Sequence, residues 1–430
     1  MKYYSLNRKA EEVSFKDAVI KGLADDKGLY FPEKITPLSK SFFENIDTLS
    51  DVEIAFEAIK QFVTPEIPED ILKNIIEETL CFDFPIVSLS KNISTQELFH
   101  GPTMAFKDVG ARFMARCLGY FNRGNTNLVT VLVATSGDTG AAVANGFLGV
   151  KDVNVVILYP SKKVSDIQEK QITSLGQNIS ALEVQGTFDD CQAMVKNAFL
   201  DKDITKSIQL TSANSINVAR WLPQMFYFFF AYKKLYKTHK DIVFSVPSGN
   251  FGNVCAGMMA QQLGLPVKHF IAANNDNNVV TKYLKTQLYT PVKSVQTISN
   301  AMDVGDPSNF IRIQEIYKNK FDSLQKNLSS YSFNNTQTRK AMLDIYTKHG
   351  YVADPHGAVG YLGCKAYLEK NTRAHCVFLE TAHPTKFLDV VEDVVKTKQA
   401  LPKQIQAVIA NKKVATTISN YSDLKAFLLL

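Results

Sequence analysis

The sequence predicts an α/β protein built on parallel sheets, on the strength of two observations. Between residues 128 and 200, buried-strand patterns alternate with helical patterns, and a second block of the same kind opens at residue 242. Strands that are separated by helices pair in parallel, because each crossover helix returns the chain to the same end of the sheet. A cleft between two such blocks is the expected place for a functional site.

The first 95 residues differ from the rest and predict a small, mainly helical N-terminal domain. Apolar residues recur at helical spacing over residues 13–24, 51–62 and 68–80, and a short strand over residues 28–32 ends at Pro32. We expect residues 96–125 and 216–430 to form a large α/β domain, with residues 126–215 forming a small α/β domain.

The remaining elements follow from apolar runs of strand length and from helical periodicity. Strands are predicted over residues 128–135, 153–160, 181–184, 242–247, 267–273 and 376–380. Helices are predicted over residues 111–118, 140–148, 167–175, 189–200 and 254–263. The aromatic run over residues 225–232 is too short to span a membrane and predicts a buried helix.

The composition indicates an ordinary globular protein. The 48 Lys and Arg residues barely outnumber the 42 Asp and Glu residues and are scattered, so we expect no nucleic-acid partner. No apolar run reaches membrane-spanning length and the N-terminus lacks an apolar signal core, so we expect no membrane association and a cytoplasmic protein. The six cysteines lie singly with no Cys-x-x-Cys pair, which argues against a disulfide framework and against a metal site.

One lysine lies in an unusual setting. Lys107 follows an apolar stretch, is bracketed by Gly101 and Gly110, and precedes a helical run. A lysine held in a dry site becomes a nucleophilic amine, which is what a Schiff base to an aldehyde cofactor requires. The alternative is a lysine whose stem is buried while its amine pairs with Asp108 at the surface.

Two strand-to-helix turns are rich in glycine and small polar residues. Residues 248–253 (Ser-Gly-Asn-Phe-Gly-Asn) have the form of a loop whose backbone N–H groups cradle a phosphate, and the alternative is a tight turn with an asparagine cap. Residues 134–140 have the same form, and the hydroxyls of Ser136 and Thr139 suit a carboxylate. A phosphate, an aldehyde and a carboxylate together describe pyridoxal phosphate with an amino acid.

The last predicted strand ends at a further polar segment, residues 380–387 (Glu-Thr-Ala-His-Pro-Thr-Lys-Phe). A hydroxyl such as that of Thr381, at the carboxyl end of a strand, is suited to hydrogen-bond a pyridine nitrogen. His383 is a candidate general acid or base, although a His-Pro turn more often has a structural role.

Taken together, these segments resemble the threonine synthase family. The matching stretches are residues 13–32, 100–108, 134–140, 212–217, 248–252, 300–309 and 381–387. The resemblance therefore covers nearly the whole chain, and it is strongest to the longer branch of the family, which carries an extra N-terminal domain. Met104, Val218 and Glu380 depart from the usual pattern, but none of these changes removes a functional group.

The resemblance implies the type II fold of pyridoxal-phosphate enzymes, which is like that of the tryptophan synthase β chain, with the cofactor bound to the large domain. It also implies conversion of O-phospho-L-homoserine and water to L-threonine and phosphate, by a monomer or homodimer. Lys107 matches the catalytic cofactor lysine. The other cofactor-binding residues implied are Ser248, Gly249, Asn250, Phe251, Gly252, Asn253 and Thr381. The substrate-binding residues implied are Thr135, Ser136, Gly137, Asp138 and Thr139, and Arg112, Lys163 and Arg220 are candidates for the substrate phosphate.

Two alternatives stay open from the residues alone. A serine or threonine dehydratase of the same fold uses the same lysine but needs no second anion site for a γ-phosphate. A non-catalytic relative binds the cofactor without turning over a substrate, and the presence of Lys107 counts against it.

Overall fold

The computed structural model describes residues 1–124 and 128–430, and these residues form two compact units. The first unit comprises Met1, Phe31–Phe106 and Trp221–Ala400, and the second comprises Lys2–Tyr30, Lys107–Arg220 and Leu401–Leu430. The predicted domain boundary between residues 125 and 126 falls outside the described residues. The division into three domains stays a prediction.

The strands are short, and most of those in the middle of the sheets are buried along their length. They are β1 (Tyr3–Ser5), β2 (Tyr30–Pro32), β3 (Ile86–Ser90), β4 (Ile93–Glu97), β5 (Val129–Ala134), β6 (Val153–Pro160), β7 (Ile179–Val184), β8 (Gln209–Ser212), β9 (Ile242–Pro247), β10 (His269–Asn274), β11 (Leu328–Ser332), β12 (His375–Glu380) and β13 (Thr416–Ile418).

The helices alternate with these strands through most of the chain. They are α1 (Phe15–Lys21), α2 (Lys40–Glu44), α3 (Asp51–Val63), α4 (Glu69–Thr79), α5 (Lys107–Phe121), α6 (Asp138–Phe147), α7 (Asp166–Thr173), α8 (Phe188–Leu200), α9 (Lys202–Ser207), α10 (Val218–Trp221), α11 (Phe226–Leu235), α12 (Gly252–Gln262), α13 (Val279–Thr286), α14 (Phe310–Ile316), α15 (Phe321–Asn327), α16 (Asn335–His349), α17 (Pro355–Leu368), α18 (Leu388–Val395), α19 (Lys403–Ile409) and α20 (Tyr421–Leu428). Short 3-10 turns span Leu222–Met225, Asn300–Met302 and Pro384–Phe387.

The first unit is built on a six-stranded sheet in the order β11-β10-β9-β12-β4-β3. All neighbours pair in parallel except the edge strand β3, which is antiparallel to β4. Helices α16, α17 and α18 contribute to a hydrophobic core with β9, β10 and β12, centred on Val243, Ile271 and Phe378. The carboxyl ends of β9 and β12, which are adjacent strands, therefore lead into residues 248–253 and 381–387.

The second unit is built on a five-stranded sheet in the order β13-β7-β6-β5-β8, with every pair parallel. Leu132, Leu158 and Leu182 from neighbouring strands pack with Cys191 of α8 and Leu424 of α20 in its core. The prediction of two parallel-sheet α/β blocks is confirmed. None of the helices in the described residues is long and apolar enough to cross a membrane.

Several predicted boundaries need correction. The helix expected over residues 13–24 is shorter, because the Ser14 side chain caps its start and Gly22, at φ 71°, ends it. The strand expected over residues 28–32 begins only at Tyr30, and the strand expected over 267–273 is His269–Asn274. Helices α5, α6 and α12 each begin before the predicted residue, so that the polar turns of the candidate site run directly into helix N-termini.

Candidate active site

Residues 248–253, here called the phosphate loop, join β9 to α12 in the first unit. The Ser248 N–H donates to Ala273 O (2.9 Å), and Asn274 Nδ2 donates to Ser248 O (2.7 Å), which ties the loop to the end of β10. Phe251 occupies the N-cap of α12 in the left-handed conformation, at φ 61°, and its side chain makes no capping hydrogen bond. Backbone N–H groups at such a helix start are available to an anion, and the helix dipole favours negative charge there.

Both asparagines of the phosphate loop are engaged by neighbouring groups. Asn253 lies inside α12 rather than at its N-cap; its Nδ2 donates to Pro247 O (2.8 Å), and its Oδ1 accepts a hydrogen bond from the Val254 N–H (2.9 Å). Asn250 is also engaged by its surroundings, because its Oδ1 accepts a hydrogen bond from the Ser308 N–H (2.6 Å) and its carbonyl accepts one from Asn309 Nδ2 (3.1 Å). The loop is therefore held in place by residues 247 and 308–309, and Asn253 Oδ1 occupies one N–H group in the first turn of α12.

Gly249 lies where the phosphate loop meets the 3-10 turn Asn300–Met302. A Cβ at Gly249 would lie 2.8 Å from both Ala301 O and Met302 Cα, which are backbone atoms. Only glycine fits so close an approach. From the sequence, the segment 300–309 stands out only because it resembles the family. In the structure this segment packs behind the phosphate loop and forms its wall.

The end of β12 holds the segment that precedes Lys107. The Phe106 N–H donates to Thr381 O (2.9 Å), the His383 N–H donates to Met104 O (3.1 Å), and Lys386 Nζ donates to Thr103 O (2.9 Å). Thr381 is buried directly after the strand. The predicted partner of the pyridine nitrogen and the predicted lysine segment are therefore linked through the backbone.

His383 has the structural role that the His-Pro turn suggested. Its Nδ1 accepts a hydrogen bond from the Thr385 N–H (3.2 Å) and so caps the 3-10 turn Pro384–Phe387. Its ring packs edge-on against Phe99. Burial lowers the pKa of His383 to about 4, so its imidazole is neutral at ordinary pH.

Lys107 belongs to the second unit, where it is the first residue of α5 and is half-buried. Arg220 packs against the first turn of this helix, since a Cβ at Gly110 would lie 2.6 Å from Arg220 O and 3.3 Å from its Nε. Arg220 is buried, and its Nη1 donates to Ala213 O (2.8 Å). Arg112 is half-buried on the same helix, whereas Lys163 is exposed after β6.

Residues 134–140, here called the substrate loop, join β5 to α6 in the second unit. Thr135 Oγ1 accepts hydrogen bonds from the N–H groups of Gly137 (3.0 Å) and Gly140 (2.8 Å), so this hydroxyl shapes the loop. Asp138 begins the helix, and the described structure shows no side-chain cap at its N-cap, Gly137. Ser136 and Thr139 are half-buried beside this helix start.

Gln168 supports the substrate loop, and nothing in the sequence pattern pointed to it. Its Nε2 donates to Asp138 Oδ1 (2.9 Å). Gly137 has φ 138°, and a Cβ there would lie 2.4–2.5 Å from the Gln168 side chain. Both the conformation and the close approach therefore require glycine at this position.

Three family models match the chain. They are "Pyridoxal-phosphate dependent enzyme" over residues 77–381, "Threonine synthase N terminus" over residues 2–80, and "Threonine synthase, C-terminal" over residues 357–428. These matches confirm the predicted family and the predicted cofactor.

Individual relatives agree with the family models. The threonine synthase of Buchnera aphidicola subsp. Baizongia pistaciae is 43% identical over 432 residues, covering 100% of both chains. The crystal structure of threonine synthase from Escherichia coli superposes with a TM-score of 0.94 at 39% identity, covering 100% of this chain and 99% of that one. The pyridoxal-phosphate-bound threonine synthase from Brucella melitensis superposes with a TM-score of 0.93 at 32% identity, with the same coverage.

The phosphate loop at the N-terminus of α12 and the two parallel sheets fit a phosphorylated cofactor of this class, and the relatives match over the full length of the chain. The chain therefore belongs to the threonine synthase family and is a pyridoxal-phosphate-dependent lyase of fold type II.

Proposed function

We propose that the protein converts O-phospho-L-homoserine and water to L-threonine and phosphate. One observation carries the proposal: the chain has two glycine-containing strand-to-helix turns, before α12 and before α6, whose N-cap residues Phe251 and Gly137 make no side-chain capping hydrogen bond. One such turn suits the phosphate of the cofactor. The other suits an anionic group of the substrate, which is what an amino-acid phosphate ester needs.

The cofactor assignment is proposed residue by residue. We propose that Lys107 binds the cofactor covalently, that Ser248, Gly249, Asn250, Phe251, Gly252 and Asn253 hold its phosphate, and that the Thr381 hydroxyl hydrogen-bonds its ring nitrogen. When bound, pyridoxal phosphate supplies an electron-withdrawing ring that stabilises negative charge at the substrate Cα. A neutral hydroxyl partner leaves the ring nitrogen largely unprotonated, which moderates that stabilisation.

The amine of Lys107 is the proposed proton carrier. It removes the proton from Cα, a proton then leaves Cβ, and the electron pair left at Cβ expels phosphate from Cγ. A proton returns to Cγ, water adds to Cβ through its oxygen, and Cα is reprotonated. The atoms balance, because two protons leave the carbon chain and two return to it, while water supplies the Cβ hydroxyl and its remaining proton goes to the released phosphate. One base close to Cα and Cβ is sufficient for these transfers.

The substrate loop is the proposed holder of one anionic end of the substrate, through Thr135, Ser136, Gly137, Asp138 and Thr139. Thr135 acts by shaping the loop, since its hydroxyl is occupied by loop N–H groups. Arg220, Arg112 and Lys163 are the proposed cations for the substrate phosphate. Arg220 is the strongest of the three because it is buried at the first turn of α5.

The decisive experiment measures phosphate release from O-phospho-L-homoserine against keto-acid release from L-threonine by the same preparation. We expect phosphate and threonine in equal amounts, with little keto acid. Keto acid as the main product would favour the dehydratase alternative. Cofactor binding with neither product would favour the non-catalytic alternative.

We further propose that the protein acts in the cytoplasm as a monomer or homodimer. Light scattering on the purified holoenzyme measures the mass directly. A larger assembly would contradict this part of the proposal.

A further inference from the structure

A chain of hydrogen bonds in the first unit runs from the end of β12 to the wall behind the phosphate loop. Glu380, the residue before Thr381, is fully buried, and its Oε1 accepts a hydrogen bond from the Asp354 N–H (2.5 Å). Burial, together with the nearby Asp354 carboxylate, raises the pKa of Glu380 well above its usual range. A Cβ at Gly357 would lie 1.6 Å from Glu380 Oε2, so this glycine makes room for the buried carboxyl.

Both carboxylate oxygens of Asp354 make further contacts. Oδ1 accepts a hydrogen bond from the Gly357 N–H (2.6 Å) and caps α17, while Oδ2 lies 2.6 Å from His356 Nδ1. Asp354 and His356 are both buried, at 0% and 2% exposed. Neither can exchange this partner for water without a local rearrangement.

The two contacts of His356 determine its tautomer. A carboxylate only accepts hydrogen bonds, so His356 Nδ1 carries the proton. Its Nε2 accepts a hydrogen bond from the Ala301 N–H (3.2 Å) and is therefore unprotonated. The Asp354 carboxylate thus keeps the opposite ring nitrogen available as an acceptor.

The chain of hydrogen bonds ends at the Ala301 N–H, and Ala301 lies in the segment that packs behind the phosphate loop. Ala301 lies in the turn Asn300–Met302, whose backbone leaves no room for a side chain at Gly249. The other side of the turn is held by Asp303, whose Oδ1 accepts hydrogen bonds from Asn275 Nδ2 (2.8 Å) and the Thr297 hydroxyl (2.7 Å). Displacing the turn would change the shape of the phosphate loop.

We propose that His356, held in the Nδ1–H tautomer by Asp354, is a positioning residue for the phosphate loop. It acts through Ala301 on Gly249 and touches neither the cofactor nor the substrate. The inference rests on the proposed role of residues 248–253 as the holder of the cofactor phosphate. It predicts that disturbing His356 weakens binding of the phosphorylated cofactor specifically.

Three variants separate the contacts of His356. In His356→Asn the amide nitrogen can replace Nδ1 as donor to Asp354, but no acceptor is left for the Ala301 N–H. In His356→Gln the longer amide can place an oxygen near the position of Nε2 and restore that acceptor. Asp354→Asn retains an oxygen to cap α17 but presents an NH₂ group to Nδ1, which favours the Nε2–H tautomer and so blocks the Ala301 contact.

The readout is the dissociation constant of the full-length apoprotein for pyridoxal phosphate and for pyridoxal, which lacks the phosphate. Absorbance or fluorescence titration measures both ligands. We expect His356→Asn and Asp354→Asn to weaken pyridoxal phosphate binding about tenfold, as for loss of one buried hydrogen bond, and to change pyridoxal binding by less than about twofold. His356→Gln should recover most of the loss, and the double variant with both asparagines should be no worse than either single variant.

His269→Gln is the matched control. His269 is also a buried histidine of the first unit, with Nε2 3.1 Å from Ser329 Oγ, but it lies at the amino end of β10, away from the phosphate loop. Its replacement should lower thermal stability and leave the ratio of the two dissociation constants unchanged. Urea denaturation of each variant identifies any that fails to fold, and Asp354→Asn then tests the tautomer in a protein with His356 intact.

The outcomes distinguish this inference from the proposed function. The positioning role of His356 is overturned if His356→Asn and Asp354→Asn weaken the binding of pyridoxal phosphate and of pyridoxal equally. It is likewise overturned if they leave the ratio of the two dissociation constants unchanged. If Gly249→Val also leaves the ratio unchanged, the assignment of the phosphate loop itself fails. If only Gly249→Val changes the ratio, the loop assignment stands without His356.

Discussion

At the scale of single residues, two lysines of the candidate site segments differ in burial. Lys386 is buried at 1% exposed, and its Nζ donates to the Thr103 carbonyl, so its ammonium is engaged by the fold. Lys107 is half-buried at the start of α5. The glycine-flanked pattern pointed to Lys107 from the sequence, whereas the burial of Lys386 had no sequence signal.

Replacement of Lys107 by alanine should abolish turnover and leave a folded protein that binds pyridoxal phosphate only noncovalently. Without the amine, neither covalent attachment nor proton transfer from Cα is possible. Borohydride reduction of the wild type followed by peptide mapping should place the label on Lys107. A label on Lys386 would contradict the assignment, and Lys386→Met should retain the label.

Replacement of Thr381 by aspartate should lower threonine formation and increase side products. An aspartate beside the ring nitrogen favours its protonation, which strengthens charge stabilisation at Cα and so favours racemisation or transamination over loss of phosphate. The measurement is the ratio of threonine to keto acid and racemised substrate. Thr381→Ser keeps the hydroxyl and should keep the wild-type ratio, and a wild-type rate in Thr381→Asp would rule out an electronic role.

At the scale of elements, strands with continuous apolar runs could be predicted and polar ones could not. Residues 242–247 form β9 as expected, because every side chain of this strand is buried in the sheet. In contrast, β4 is buried although it contains Ser94, Thr95 and Gln96. These side chains have partners that are distant in sequence: Gln96 Nε2, for example, donates to Tyr227 O (2.9 Å). Their hydrogen bonds offset the cost of burial, and no local pattern reports them.

The same limit applies to the site. The glycine turns could be predicted because a local feature, a turn between a strand and a helix, defines them. Asp354 and His356 could not, since they reach Glu380 and Ala301 only through the fold. Gln168 was missed for the same reason, because its contact with Asp138 spans 30 residues of sequence.

Because the turn Asn300–Met302 lies so close to the phosphate loop, adding a single methyl group at Gly249 should weaken cofactor binding. Gly249→Ala places a Cβ 2.8 Å from backbone atoms, so the loop or the turn must shift, and the cofactor dissociation constant should rise about tenfold or more. Gly350→Ala is the control. Gly350 caps α16 at φ 66° with open space around it, so alanine there should cost about 1 kcal/mol of stability and leave cofactor binding unchanged. Equal cofactor affinity in both variants would show that the phosphate loop serves only to connect β9 to α12.

At the scale of the whole molecule, buried histidines link the stability of the fold to pH. Burial lowers the pKa of His269 to about 4, and burial together with the neighbouring His239 ring lowers the pKa of His375 to about 4. The unfolded chain binds these protons at pH values near 6.5, and the folded chain does not until about pH 4. Stability contributed by each histidine is therefore present above pH 6.5 and is lost as the pH falls from 6.5 to 4.

His269→Gln should reduce this pH dependence. Removing one histidine whose protonation opposes folding should shrink the loss of unfolding free energy between pH 7 and pH 5 by up to about 2 kcal/mol relative to wild type. Urea denaturation at the two pH values measures the difference, and the comparison with wild type cancels the contribution of Glu380, which has the opposite sign. An identical loss in both proteins would show that the pKa of His269 is the same in the folded and unfolded states.

The anchoring of the peptide group between Phe106 and Lys107 limits how the Lys107 amine can move. The Phe106 N–H donates to Thr381 O, and the Phe106 carbonyl accepts a hydrogen bond from the Tyr227 hydroxyl. Because a peptide group is planar, the nitrogen of Lys107 shares the plane of that anchored carbonyl. The backbone position of Lys107 is therefore fixed. Its amine moves by rotation about the single bonds of the side chain and not by motion of the backbone. In the proposed role of Lys107, the length of its side chain then determines which substrate carbons the amine reaches in one turnover.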